Sequence, residues 1–238
     1  MEVKSLYREP ESREEVVFGA LEFHDVFRIF RAGAAESVAL RGLDLRVEEG
    51  ELAALHGPSG SGKSTALHLA AGLDEPSAGD VRVLGRSLAR LTEGELADYR
   101  ARTVSIVFQS RNLWPALSAR ENVALGLRLA GRRRGLREAV DRALDAFDPQ
   151  RREGQRAGSL SGGEQQRVAI AAAAAREAPL VLADEPTAEL DADSEQDVLR
   201  ALQRLRDEFN TTVVVVTHSP RVADVADRVM ELRDGTCV

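Results

Sequence analysis

Apolar and polar residues alternate with a period of two in residues 20–27 and again in residues 43–47. Successive side chains of a strand point to opposite faces, so this pattern predicts two half-buried antiparallel strands. Glu49-Gly50 closes this hairpin-like start, with Phe30-Arg31-Ala32-Gly33 between the strands. Further along, the pattern changes. Residues 52–56, 103–108, 180–183 and 211–216 are apolar or β-branched runs of strand length, and residues 80–84 and 228–232 read as further strands. Helices are predicted between them. One covers residues 65–71 and stops at Gly72; the capping boxes at Thr92-Glu93-Gly94-Glu95 and Ser118-Ala119-Arg120-Glu121 open two more, to about residues 102 and 130. A stripe of Leu136, Val140, Ala143, Leu144 and Phe147 marks another, and residues 161–176 and 193–209 complete the set.

Alternating strands and helices predict an α/β fold whose sheet is mainly parallel, with an N-terminal antiparallel β-subdomain. Strand signals stop over residues 110–159, which therefore read as a helical subdomain inserted into one domain spanning 18–238. The charged residues 1–17 are expected to be a frayed extension, and the polar residues 148–158 a hinge back toward the core.

Composition narrows the class of protein. With 43% hydrophobic residues in 238, the chain can bury one large core or two modest ones. The longest apolar run, residues 168–175, falls far short of the ~18 residues a membrane span needs, so membrane work is expected to go through a partner. No secretion signal is evident, which predicts a cytoplasmic protein. A single cysteine, Cys237, excludes an internal disulfide framework. The net charge of −7 argues against a nucleic-acid partner. Arg132-Arg133-Arg134 is the local exception and reads as a solvated loop, with acidic lipid headgroups or a protein partner as the other reading.

Candidate chemistry centres on Gly57-Pro58-Ser59-Gly60-Ser61-Gly62-Lys63-Ser64-Thr65, which fits the phosphate-loop pattern G-x-x-x-x-G-K-[ST] between a strand and a helix. Glycines let the backbone turn its N–H groups toward one centre, Lys63 adds a positive charge for the outer phosphates, and the Ser64 hydroxyl is placed for Mg²⁺. The expected ligand is a nucleoside triphosphate with Mg²⁺, on a P-loop NTPase core.

Other candidates lie at predicted strand ends, where parallel α/β sheets bind ligands. Asp184 and Glu185 come after one buried strand, and two adjacent carboxylates there call for a cation or a reacting water. His218 ends the strand of residues 211–216 and reads as functional; His24, His56 and His68 show no ligand spacing and read as structural. Gln109 either reaches a metal or water or is a solvated loop residue, and Phe30 either stacks on a nucleotide base or is a core aromatic. Ser161-Gly162-Gly163-Glu164 at a helix start is either a second anion site or a common helix opening.

Taken in order, the loop at 57–65, Gln109, Leu160-Ser161-Gly162-Gly163-Glu164-Gln165-Gln166-Arg167, residues 180–187 and His218 resemble the nucleotide-binding subunit of ATP-binding cassette (ABC) transporters from about residue 20 onward. The resemblance implies an ATPase whose residues 59–65 hold the phosphates, with Ser64, Gln109 and Asp184 positioning Mg²⁺. It implies that Glu185 polarises the attacking water, that His218 touches the γ-phosphate, and that Phe30, where the family more often has Tyr, stacks on adenine. It further implies a homodimer around two ATP molecules. There Leu160, Ser161, Gly162, Gly163, Glu164 and Gln165 bind the ATP held by the other subunit, and Asp191 lies at the interface.

Residues 117–123 and 182–187 look like the ATPases of lipoprotein-release, macrolide-efflux and cell-division systems. Such a resemblance implies an integral membrane permease with few transmembrane helices and a large extracytoplasmic domain, and a place on the cytoplasmic face of the membrane. Three features depart from that subclass: Ala188 where Gly is usual, Ala172 where Arg is usual, and a short linker over residues 148–159. The rival expectations are a soluble ABC ATPase of translation or DNA repair, and a regulatory ATP-binding module.

Overall fold

The computed structural model describes residues 19–33, 35–147 and 153–238. The expected extension at 1–17 and residues 148–152 of the expected hinge lie outside them. The chain forms β1 (Leu21–Ala32), β2 (Ala35–Val47), β3 (Leu52–His56), α1 (Lys63–Ala70), β4 (Ala78–Val83), β5 (Arg86–Ser87), α2 (Glu93–Arg102) and β6 (Val104–Val107). It continues through α3 (Ala119–Leu129), α4 (Leu136–Phe147), α5 (Gly162–Arg176), β7 (Leu180–Asp184), α6 (Ala192–Phe209), β8 (Thr212–Thr217), α7 (Pro220–Val225), β9 (Arg228–Arg233) and β10 (Thr236–Cys237).

Two sheets result. The first is antiparallel in the order β2-β1-β4-β5; the second runs β10-β9-β3-β8-β7-β6, parallel except for the final β9–β10 hairpin. This is the α/β fold expected from the pattern, except that the antiparallel sheet is not wholly N-terminal: β4 and β5 join it after β3, which belongs to the parallel sheet.

Burial explains why the central strands lack alternation. Leu52 and Ala54 of β3, Val181 and Ala183 of β7, and Val213 and Val215 of β8 face one hydrophobic cluster, which they share with α3, α4, α5 and α6. The residues between them, Ala53, Leu55, Leu180, Leu182, Val214 and Val216, face a second cluster shared with α1 and the antiparallel sheet. A strand covered on both faces must be apolar at every position. Each leucine buried this way contributes roughly 1.5–3 kcal/mol.

The N-terminal strands are longer than the alternation predicts. β1 continues to Ala32, so Phe30 lies within it and pairs with Ser37 of β2; the turn falls at Gly33, and Glu49-Gly50 instead joins β2 to β3. Register shifts between Phe23 and Val26, Val26 and Phe27, and Arg28 and Ile29 account for the difference. Asp25 takes a left-handed backbone (φ 48°) at the first of these bulges. Each bulge moves later side chains to the other face and erases the two-residue period.

Candidate active site

The parallel register brings several candidate side chains to one edge of the sheet. His56 pairs with Thr217 and Asp184 with Val216, so β3, β7 and β8 end side by side. The 57–62 loop leaves the end of β3, Glu185 the end of β7 and His218 the end of β8. All three therefore meet above that edge, where parallel sheets place ligands.

The loop is held by close backbone packing. A Cβ on Gly57 would lie 2.2 Å from the Leu232 carbonyl oxygen, and one on Gly62 (φ 105°) 2.5 Å from that of Ala39. Only glycine fits either position. The Gly235 N–H donates to the Ser61 carbonyl at 3.0 Å, so the β9–β10 turn supports the loop from behind. No side chain caps α1, leaving its first-turn N–H groups aimed into the concavity, a ready seat for an anion. Lys63 is buried and donates through Nζ to the carbonyls of Gly57 (2.8 Å) and Pro58 (2.9 Å), folding its charge over the cradle.

Opposite stands the carboxylate pair. Asp184 Oδ1 accepts from the Ser64 hydroxyl at 3.1 Å. Burial pushes the Asp184 carboxyl above its usual range, outweighing the Ser64 hydrogen bond that pulls it down. A carboxylate desolvated this way favours a cation beside it. The Ser64–Asp184 pair thus fits Mg²⁺, which takes one or two protein ligands and leaves its other positions to phosphate and water. Among the described residues no group of three or more His, Cys, Asp or Glu side chains is arranged to hold a metal.

Glu185 has a left-handed backbone (φ 46°), unusual for a non-glycine residue, and its N–H donates to the Val216 carbonyl at 2.9 Å. That conformation turns its side chain to the end of β8. There Oε1 lies 2.8 Å from Nδ1 of His218, while Oε2 accepts from the Thr217 hydroxyl (3.1 Å) and the His218 N–H (3.3 Å). Backbone strain of this kind gathers at functional sites.

A cleft of about 560 Å³ is lined by Ser59, Gly60, Gly62, Lys63, Ser64, Thr65, Gln109, Glu185 and His218, together with Ala39 and Ala188. Gln109 reaches it across the sheet edge, its side-chain amide 3.4 Å from Glu189 Oε1. Phe30, Asp191 and the segment of residues 160–165 lie outside this lining. Phe30 is not a core aromatic: it is 42% exposed, with the Arg28 guanidinium 4.5 Å from its ring centre. Arg28 is itself fixed by two hydrogen bonds to Asp74, at 2.8 and 2.7 Å.

Exposed Ser161 caps α5, accepting from the Glu164 N–H, and the Glu164 side chain returns a bond to the Ser161 N–H at 2.8 Å. Gly163 lies where α5 meets α6; a Cβ there would sit 2.7 Å from Ser194 Cβ. Asp191 caps α6, accepting from the Ser194 and Asp193 N–H groups, bonds that hold its carboxyl below the usual range.

Thr217, Asn112, Gln166 and Arg28 escape a reading of the sequence. Thr217 stands beside a recognised histidine, but nothing local shows that its hydroxyl meets Glu185.

The family described as ABC transporter matches residues 40–188. A lipoprotein-releasing system ATP-binding protein, LolD, of Anaeromyxobacter dehalogenans is 44% identical over 231 residues, covering 94% of this chain and 95% of that protein. A macrolide export ATP-binding/permease protein, MacB, of Marinobacter nauticus is 42% identical over 219 residues, 92% of this chain but 34% of its own length. The chain thus spans about a third of the MacB relatives it matches. A solved dimer of the ATP-binding cassette MJ0796, in a post-hydrolysis state with ADP and Pi, superposes with a TM-score of 0.82 at 37% identity, covering 91% of this chain and 96% of that one.

Proposed function

The chain belongs to the ABC transporter family, and from that premise we propose that it is the ATP-hydrolysing subunit of a transporter or mechanotransmission complex. In this reading two copies close around two ATP molecules and drive a separate integral membrane permease. The observation that carries it is the facing of two sets of groups across one cleft: the uncapped start of α1 with Lys63 on one side, the Glu185–His218 pair on the other.

Phosphoryl transfer is mostly positioning and charge stabilisation. Lys63 exchanges its two carbonyl bonds for the outer phosphates of ATP. Glu185, already oriented by Thr217 and His218, accepts a proton from the attacking water and aims it at the γ-phosphate. With Nδ1 engaged by Glu185, His218 has its other ring nitrogen for the γ-phosphate. Ser64, Asp184 and Gln109 would hold Mg²⁺, which when bound supplies positive charge to the phosphate oxygens. Phe30 offers an exposed ring to adenine.

One cleft leaves the γ-phosphate open on one side. In a two-fold pair, the exposed Ser161 and Gly162 at the start of α5 of each copy would close the other copy's cleft, so that ATP becomes part of the interface. The solved MJ0796 cassette is a dimer, which supports this reading.

Among the described residues no helix is long and apolar enough to cross a membrane. In this reading the chain sits peripherally, on the cytoplasmic face, through its permease. The permease surface we favour is the groove lined by Leu113, Trp114, Leu125, Leu129 and Ala172, where Trp114 is 66% and Leu129 73% exposed. The names of LolD and of MacB, an ATP-binding/permease protein, support a permease partner; in this reading it is of the few-helix type with a large extracytoplasmic domain.

The test is size-exclusion chromatography of Glu185→Gln with and without Mg-ATP, alongside ATPase assays of the parent chain. An ATP-dependent dimer and slow Mg-dependent hydrolysis are expected. A monomer at saturating ATP, or co-purification from membranes without an integral partner, would overturn the reading.

A further inference from the structure

Gln166 is a polar residue only 4% exposed in an alanine-rich helix, and its amide is engaged on both sides. Nε2 donates to the carbonyls of Phe108 (3.0 Å) and Gln109 (2.7 Å), and Oε1 accepts from Asn112 Nδ2 at 2.9 Å. Asn112 in turn bonds the Phe108 carbonyl (2.7 Å) and accepts from the Phe108 N–H (2.8 Å), closing the loop of residues 108–112 on itself. This loop leaves β6, the edge strand of the parallel sheet, so no further strand steadies it from the outer side. Its anchor is α5, through Gln166.

The same helix begins at Ser161, little more than a turn before Gln166. One rigid element therefore carries, at its start, the groups that would close a partner's cleft and, just beyond, the clamp on Gln109, which lines the chain's own cleft. Moving the Gln109 backbone toward or away from a nucleotide requires either moving α5 with it or breaking the hydrogen bonds that Gln166 makes to the carbonyls of Phe108 and Gln109.

Resting on the dimer reading above, we infer that Gln166 is a positioning residue that couples the two nucleotide sites of the dimer. It transmits the pose of Gln109 in one cleft to the pose of Ser161 in the other. Gln166 is not among the residues that line the cleft, so its removal leaves binding of ATP by the monomer unchanged and weakens the joint response of the two sites.

The experiment compares the parent chain with Gln166→Leu, which keeps the volume and removes the bonds, and with Asn112→Ala, which opens the loop from its other side. Equilibrium ATP binding, thermal unfolding and the ATP dependence of hydrolysis are measured for each. The parent is expected to respond to ATP with a Hill coefficient approaching 2, the number of sites. Both variants are expected to bind ATP with unchanged Kd, to fall toward a Hill coefficient of about 1, and to lose on the order of tenfold in kcat. If Gln166→Leu fails to fold, Asn112→Ala carries the test. Unchanged cooperativity and kcat in a folded variant would overturn the coupling role, as would a loss confined to ATP affinity. Failure of the dimer reading shows separately, as a non-cooperative parent whose Glu185→Gln variant stays monomeric in ATP.

Discussion

Glu185 and His218 end neighbouring parallel strands with a carboxylate oxygen and ring Nδ1 2.8 Å apart. Each fixes the other: the histidine sets the direction of the carboxylate, and the carboxylate engages Nδ1 rather than the other ring nitrogen. Glu185→Gln is expected to lower the single-turnover rate about 10²–10⁴-fold while ATP binding persists. His218→Ala should lower it too, and the double variant should lose much less than the product of the two, because the pair acts as a unit. Rapid-quench measurements on the three variants decide this.

Under the proposed function, Lys63 would have to leave the carbonyls of Gly57 and Pro58 to bring its charge to the outer phosphates. A charge-assisted hydrogen bond is worth about 1.5–3 kcal/mol, so Lys63→Ala should weaken ATP binding roughly 10- to 100-fold. The loss should be far smaller for adenosine, which lacks phosphates. Calorimetric titration with the two ligands separates a phosphate role from general damage to the loop.

The space around two helical glycines predicts opposite outcomes for one substitution. Gly163→Ala places its Cβ 2.7 Å from Ser194 Cβ between two packed helices and should destabilise the chain by about 1–3 kcal/mol. Gly94→Ala, in α2, meets nothing within 4 Å and should be neutral or stabilising by up to about 1 kcal/mol. Denaturant unfolding of both variants provides the comparison.

Asp184 supplies a pH signature. Its carboxyl titrates above the ordinary value of 3.8 because it is buried, so ionising it disfavours the folded state. That penalty is fully present above the raised folded value and is gone below the unfolded one. Asp184→Asn should therefore raise thermal stability at neutral pH without nucleotide, and the gain should vanish as the pH falls below about 4. Equal gains at both pH values would contradict burial as the cause.

Arg28 lies over Phe30 and is held there by Asp74. A cation over an exposed ring is worth about 0.5–1 kcal/mol. If Phe30 stacks on adenine, Arg28→Ala should weaken ATP binding about two- to fivefold and leave binding of inorganic tripolyphosphate unchanged. Titration with each ligand tests it.

The phosphate loop and the strand-end carboxylates are legible in the sequence because both are local: a few adjacent residues determine the backbone turn, and an unbroken apolar run marks the buried strand. Phe30 is harder to place. The bulges of β1 hide its strand, and only the fold shows that it stands at the surface under Arg28. Gln166 is silent in sequence, since its partners at 108, 109 and 112 come from a distant stretch of chain. The helix start at Ser161 is legible as one of two readings, an anion site or a common helix opening, and the local pattern does not decide between them, since the cleft it would close belongs to another copy.

The packing of Gly57 under Leu232, and of the Ser61 carbonyl against Gly235, has a consequence for biosynthesis. The cradle stands early in the chain, yet its backing belongs to a hairpin that leaves the ribosome far later. A nascent chain carrying the whole phosphate-loop sequence still lacks the wall that gives the loop its shape. The native shape of the loop therefore waits on β9 and β10.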